Sequence, residues 1–161
     1  MSGRTIVAGL GNPLMGDEGI GCRLVERLER EADRFPGVRF VDVGTGGVRL
    51  LHLLADADTA ILIDCAMMGA EPGAIRRFTP DQVESVKTLV HQSLHEADIL
   101  GIIRMAEQLG QCPRRIVIFG IQPEKIACDR QLSPTLVRSM DRYLGLIRQE
   151  IGPAADASAR G

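Results

Sequence analysis

The chain has 161 residues, a formal net charge of −2, 45% apolar residues and 3% aromatics. That length and apolar share suit a single α/β-sized domain with a full core and exclude a mostly disordered chain. Scattered Lys and Arg, with no Trp and only Tyr143 as a tyrosine, argue against a nucleic-acid surface, which needs a basic stripe or stacking platforms.

Strand-like and helix-like segments alternate along the chain. Residues 5–8 are strand-like, and the glycine-rich stretch Gly9-Leu-Gly-Asn-Pro-Leu-Met-Gly-Asp-Glu-Gly-Ile-Gly21 follows at once. It leads into a helical pattern over 20–32, with Ile20, Leu24 and Leu28 on one face and Val25 beside them. Residues 38–43 read as a strand carrying Asp42 near its end, followed by the turn Gly44-Thr-Gly-Gly47 and a short apolar helix over 48–55. Residues 59–66 contain the continuous apolar run Ala60-Ile-Leu-Ile63, typical of a strand covered on both faces, and reach Asp64.

A further strand is predicted over 74–78, a short helical piece over 80–86, and a loop over 87–94 with His91 in it and His95 just after. Ile99, Ile102, Ile103 and Ala106 predict a helix over 96–109, and 115–121 reads as another buried strand. Ser133-Pro134 is a cap followed by a first-turn proline, and Leu136, Met140, Leu144, Ile147 and Ile151 mark the buried face of the last helix. The pattern predicts a three-layer α/β/α domain over 1–151, with a twisted, mostly parallel sheet and a loose tail over 152–161. One antiparallel strand is expected, because 59–66 and 74–78 are joined too tightly for a helical crossover.

The glycine-rich stretch presents Asp17 and Glu18 where a strand hands over to a helix. A dinucleotide fingerprint is excluded because Leu14 stands where its third glycine belongs, and a P-loop because no Gly-Lys-Ser/Thr ending follows. The plain reading of Asp17 is a helix cap, with Glu18 complementing the dipole of the first turn. In an open parallel sheet the carboxyl ends of the strands line one crevice. Glu18 follows the first strand, Asp42 and Asp64 end the second and third, and His95 precedes a helix that packs back on the sheet. An Asp ending so apolar a strand is costly unless paired, protonated or metal-bound. Glu, Asp and His form an O,O,N set that suits zinc or nickel better than magnesium or calcium. His95 fits equally well as a surface residue paired with Glu96 or Asp98, and His91 reads as a loop histidine.

Cys22, Cys65, Cys112 and Cys128 form neither a C-x-x-C pair nor a zinc-finger spacing, and read as reduced thiols of a cytoplasmic protein. Cys65 adjoins Asp64 and is weighed as a nucleophile, but the plainer reading is a small core residue. The N-terminus carries no signal-like region and no apolar run reaches membrane-span length.

The ordered set of Gly9 to Gly21, Asp42-Val-Gly-Thr-Gly46, Leu62-Ile-Asp-Cys-Ala66, Ser93-Leu-His-Glu96, Phe119-Gly-Ile-Gln-Pro-Glu124 and Leu132-Ser-Pro134 resembles the hydrogenase maturation endopeptidases. These trim the large subunit of nickel-iron hydrogenases. The resemblance implies a peptidase in which Glu18, Asp64 and His95 are the metal-binding and catalytic positions, with Asp17 and Asp42 behind them. It implies nickel as the metal, supplied by the hydrogenase large-subunit precursor. It further implies removal of a C-terminal extension once nickel is in place, by a monomer that binds neither nucleic acid nor membrane. Loops 67–73 and 88–94 are expected to select the precursor.

Two other readings share features of the chain. Peptidyl-tRNA hydrolases also run from a first strand into Gly-Leu-Gly-Asn-Pro, but continue with a Thr-Arg-His-Asn segment and a basic face that are missing here. A non-enzymatic nickel carrier would use the same three side chains without hydrolysis, although carriers more often show His-rich or Cys-rich tracts.

Overall fold

The computed structural model describes residues 3–87 and 94–152, with 84–87 and 94–98 described by backbone alone. Residues 88–93, which hold His91 and most of the predicted loops over 87–94 and 88–94, and residues 153–161 of the predicted tail over 152–161 lie outside the described residues.

Five strands form one sheet: β1 (Thr5–Leu10), β2 (Val38–Gly44), β3 (Thr59–Cys65), β4 (Ile75–Phe78) and β5 (Arg115–Ile121), in the order β2-β1-β3-β5-β4. β1 pairs in parallel with both β2 and β3, and β3 pairs in parallel with β5. The expected antiparallel strand is β4, but its partner is β5 rather than the preceding β3. β4 therefore lies one strand further out than its short connection suggests, and β5 slots between the two.

Among the described residues five α-helices flank the sheet: α1 (Ile20–Glu29), α2 (Gly47–Ala55), α3 (Pro80–Lys87), α4 (Leu94–Gln108) and α5 (Pro134–Ile151). Alternation along the strands sorts their side chains into two buried layers. Val7, Ile61, Ile63, Val117, Phe119 and Ile121 pack with α1 and α5. Ile6, Ala8, Leu10, Ala60, Leu62, Ile116 and Ile118 pack on the other face with α2 and α4. The expected three-layer α/β/α arrangement is thus present. Among the described residues no helix is long and apolar enough to cross a membrane.

Helix ends follow local chemistry. Ser133 caps α5, accepting from the Leu136 N–H at 3.5 Å, and Pro134 opens the helix as predicted. α1 stops at Glu29, three residues short of the predicted end, and a 3-10 turn over Ala32–Arg34 leads into β2. α4 starts two residues earlier than predicted, so His95 falls inside its first turn instead of ahead of it.

After β1 the chain first adds β2 on one side and then returns past β1 to add β3 on the other. The strand order therefore reverses between β1 and β3, which is where open α/β sheets leave a crevice beyond their carboxyl ends.

Candidate active site

Glycines bring the two sides of this crevice together. A Cβ placed on Gly21 would lie 2.3 Å from the carbonyl oxygen of Ile63, and one on Gly9 would lie 2.3 Å from that of Gly21. The first turn of α1 is thus seated on the backbone of β1 and β3, at separations no side chain permits. Gly11 does the same for the acidic turn. Its φ is +116°, and a Cβ there would fall 2.1 Å from the Glu18 carbonyl oxygen and 3.7 Å from Asp64 Oδ1. One glycine separates the backbone of Glu18 from the carboxylate of Asp64.

Asp64 sits at the penultimate position of β3 and is 2% exposed. It continues the parity of Ala60 and Leu62, whose side chains face the layer of α2 and α4. α4 is the helix that carries His95 in its first turn, and Ile99, one turn on, is buried in that layer. The fold therefore gathers the elements bearing Glu18, Asp64 and His95 around one end of the sheet. Glu18 is half-buried in a 3-10 turn over Gly16–Gly19. The His95 side chain belongs to the residues described by backbone alone. Among the described residues, no three His, Cys, Asp or Glu side chains group as a metal site.

Asp42 is exposed, and its Oδ1 accepts the Gly44 N–H at 2.9 Å, shaping the turn after β2. Gly44 in turn accepts the Gly11 N–H through its carbonyl at 2.9 Å, tying the second strand's loop to the first. Cys22 of α1 lies beside these groups, its thiol 3.5 Å from the Gly11 carbonyl oxygen. Burial pushes the Cys22 thiol well above its ordinary value, and a hydrogen bond with the Asp42 carboxylate acts in the same direction, as do the Asp42 and Asp64 charges. Cys22 is consequently a protonated packing residue of the crevice wall. Cys65 is also buried, in the α1/α5 layer, and all four cysteines are free.

The helix-cap reading of Asp17 is overturned. Neither the 3-10 turn nor α1 has a side-chain cap. Asp17 is fully buried and its carboxylate accepts four hydrogen bonds from the segment between β5 and α5. The donors are the N–H groups of Glu124 and Lys125 at 2.9 Å, the N–H of Ser133 at 2.7 Å and the Ser133 hydroxyl at 2.8 Å. The Asp17 N–H returns a bond to the Lys125 carbonyl at 3.1 Å. Asp17 is the clasp that holds the acidic turn, and with it Glu18, against a loop more than a hundred residues away.

Gln122 does similar work after β3, and sequence reasoning singled out only the motif around it. It is 5% exposed, and its Oε1 accepts the N–H groups of Met68 at 2.7 Å and Ala70 at 3.4 Å. The loop leaving Asp64 is thereby fixed to the end of β5. A polar residue closing a very apolar strand was the available signal, the same one that marked Asp64.

Large apolar side chains stand exposed around this end of the sheet: Leu14 after β1, Val48 after β2, Met67 after β3 and Ile126 after β5. Three strand-end loops and the first turn of α2 thus each offer an apolar contact around a polar centre, an arrangement suited to a protein or peptide surface.

Comparison with known proteins agrees with this architecture. The family model of the hydrogenase maturation protease, HycI, matches residues 22–150. The hydrogenase expression/formation protein HupD of Bradyrhizobium diazoefficiens is 37% identical over 120 residues, 74% of this chain but only 62% of that protein. The chain thus spans about three fifths of that relative's length. The hydrogenase 2 maturation protease of Escherichia coli is 33% identical over 83% of this chain and 81% of its own. Among solved structures, the hydrogenase maturating endopeptidase HybD from E. coli superimposes with a TM-score of 0.81 at 28% identity, covering 92% of this chain and 91% of that one. By the extent of the family match and the identity to these relatives, the chain belongs to the hydrogenase maturation protease family.

Proposed function

We propose that the protein is the endopeptidase that removes a C-terminal extension from a nickel-iron hydrogenase large-subunit precursor after nickel insertion. Glu18, Asp64 and His95 recognise the nickel that the precursor presents on its own thiolates, so the metal arrives as part of the substrate. The observation that carries this reading is the convergence at Gly11, which brings the turn of Glu18 and the buried carboxylate of Asp64 to the switch point of the sheet, facing the layer of α4. Two carboxylates and an imidazole are a donor set that a borderline divalent ion such as nickel accepts.

In this reading the peptide lies across the strand-end loops, with the apolar rim gripping it on either side of the polar centre. A carboxylate of the pair takes a proton from the attacking water as general base, a role that requires hydrogen-bond reach to that water. Asp17 and Asp42 hold the turns that carry the acting groups. The encounter takes place in the cytoplasm, with the protease as a monomer, and neither nucleic acid nor membrane takes part.

The test is the intact mass of a nickel-loaded large-subunit precursor before and after incubation with the protein. Metal-free precursor and a Glu18→Gln variant run alongside. A single loss equal to one C-terminal peptide, seen only with nickel and at least a hundredfold slower in the variant, is the expected outcome. No loss from any precursor, with nickel retained by the protein itself, would replace the protease with a nickel carrier.

A further inference from the structure

The Gln122 carboxamide has two ends, and the fold makes full use of one. Oε1 accepts the Met68 N–H at 2.7 Å and the Ala70 N–H at 3.4 Å, which decides that this end is the oxygen and the other the NH2. The backbone of Gln122 is engaged as well: its N–H donates to the Ala74 carbonyl and its carbonyl accepts the Gly73 N–H, both at 2.8 Å. Among the described residues the NH2 meets one acceptor, the Met67 thioether, whose Sδ is 3.7 Å from Nε2. Sulfur is a weak acceptor, and an amide NH2 carries two donor hydrogens. Gln122 is 5% exposed, so this donor has little contact with bulk water. A buried donor that lacks a strong acceptor destabilises the folded protein, and its retention calls for a reason.

Sheet register places this donor close to Asp64. Asp64 pairs with Gly120 across β3 and β5, and Gln122 lies two residues further on, on the same face by alternation. A Cβ on Gly120 would lie 3.1 Å from Ala66 Cβ and from Met68 Sδ, and 3.4 Å from Phe78 Cε2. Phe78 packs in the layer of α2 and α4, so this is the face that Asp64 shares. One strand across and two residues along separate the two Cα atoms by roughly 8 Å, which an extended peptide covers in about two residues. Met67, the present acceptor, is 41% exposed and belongs to the apolar rim. Its unbranched side chain, with three rotatable bonds, adapts readily to a new neighbour. The donor is thus covered by a rim side chain and stands within two residues' reach of Asp64.

We infer that the Gln122 NH2 is a substrate-binding donor, which takes a main-chain carbonyl of the precursor about two residues from the bond that is cut. The inference rests on the endopeptidase reading above. As the peptide enters, the Met67 thioether swings aside and its place is taken by a carbonyl, a stronger acceptor. Every residue of a peptide offers such a carbonyl, so the contact sets the alignment of the chain over Asp64 without reading its sequence. Through Oε1 the same side chain holds the loop that leaves Asp64. One glutamine therefore fixes both the carboxylate and the peptide laid across it.

Two substitutions separate the donor from the acceptor. Gln122→Glu keeps an oxygen for the Met68 and Ala70 N–H groups and puts a second oxygen where the NH2 was. Gln122→Met is similar in shape and removes both. Initial rates of cleavage of nickel-loaded precursor are measured against precursor concentration at about pH 8, far above the ordinary carboxyl value, with urea midpoints alongside. Both variants are expected to raise KM at least about fivefold, the worth of one hydrogen bond, with kcat within about threefold of wild type. Only Gln122→Met is expected to lower the urea midpoint. A wild-type KM in either folded variant would overturn the inference and leave Gln122 as a loop anchor. Losses of kcat that follow the midpoint, with KM unmoved, would do the same. Failure of the wild type to cleave any nickel-loaded precursor would overturn the endopeptidase reading, and the inference with it.

Discussion

Replacing Asp17 by Asn puts the clasp to a direct test. In the wild type, Oδ2 accepts from the Glu124 N–H, the Lys125 N–H and the Ser133 hydroxyl, while Oδ1 accepts from the Ser133 N–H. The best an amide can do is keep its oxygen at the three-donor position and turn its NH2 towards the Ser133 N–H. Two donors then face each other in a fully buried place, which costs about 1–3 kcal/mol. The three remaining bonds lose their charge assistance, roughly 1 kcal/mol each, because bonds to charged groups contribute about 1.5–3 kcal/mol against about 1 for neutral pairs. The sum is about 4–6 kcal/mol, a large share of the roughly 5–15 kcal/mol that holds a domain folded. Urea denaturation followed by circular dichroism reads it as a drop in midpoint with an unchanged slope. Ser133→Ala is the companion variant: it removes one donor and the α5 cap, and should cost about 1–2 kcal/mol. If Asp17→Asn costs under about 1 kcal/mol, or no more than Ser133→Ala, the clasp is not what secures the acidic turn.

Two further outcomes follow from other parts of the molecule. Gly11→Ala places a methyl 2.1 Å from the Glu18 carbonyl oxygen at a φ of +116°, and should lower stability by about 3 kcal/mol or more through overpacking and backbone strain; a thermal midpoint within two or three degrees of wild type would contradict the packing described. Glu150 is held below the usual carboxylate range by its hydrogen bond with Arg77 and by the Arg77 and Arg115 charges, against a smaller opposing effect of burial. Because its folded value is lowered, its contribution is present above the ordinary carboxylate value and is lost as pH falls through the folded one. Glu150→Gln should therefore cost about 1 kcal/mol near neutrality and progressively less on acidification, read as converging melting curves of variant and wild type.

Much of this architecture was legible in the sequence because two periodicities carry it. The uninterrupted Ala60-Ile-Leu-Ile63 and the Ile20, Leu24, Leu28 face announce a doubly covered strand and an amphipathic helix, and both are present. Asp64 stood out for the same reason, as a charge at the end of a run that tolerates none. The missing parts depend on contacts between distant segments. The donors to Asp17 lie 107 to 116 residues away, so its local surroundings suggested only a cap. Cys22 has the pattern of an ordinary core position on α1, and only the placement of Asp42 and Gly11 brings it to the crevice wall. The pairing of β4 with β5 was hidden because sheet order is decided by crossover geometry rather than by strand composition. The glycine spacing from Gly9 to Gly21 was visible, but its reason, backbone seated on backbone, required the three-dimensional register.

The two outermost strands have a consequence for how this protein behaves at high concentration. An exposed strand edge is a template on which other chains can pair, and proteins guard against this with short or charged edges. β4 is four residues long and places Arg76 and Arg77 in its middle, both exposed, and the opposite edge strand β2 carries exposed Arg39 and Asp42. A second sheet approaching either margin would have to bury these charges. The same arginine that anchors Glu150 thus helps to keep neighbouring molecules from stacking edge to edge, and neutralising both arginines of β4 would favour fibrillar association before it favoured unfolding.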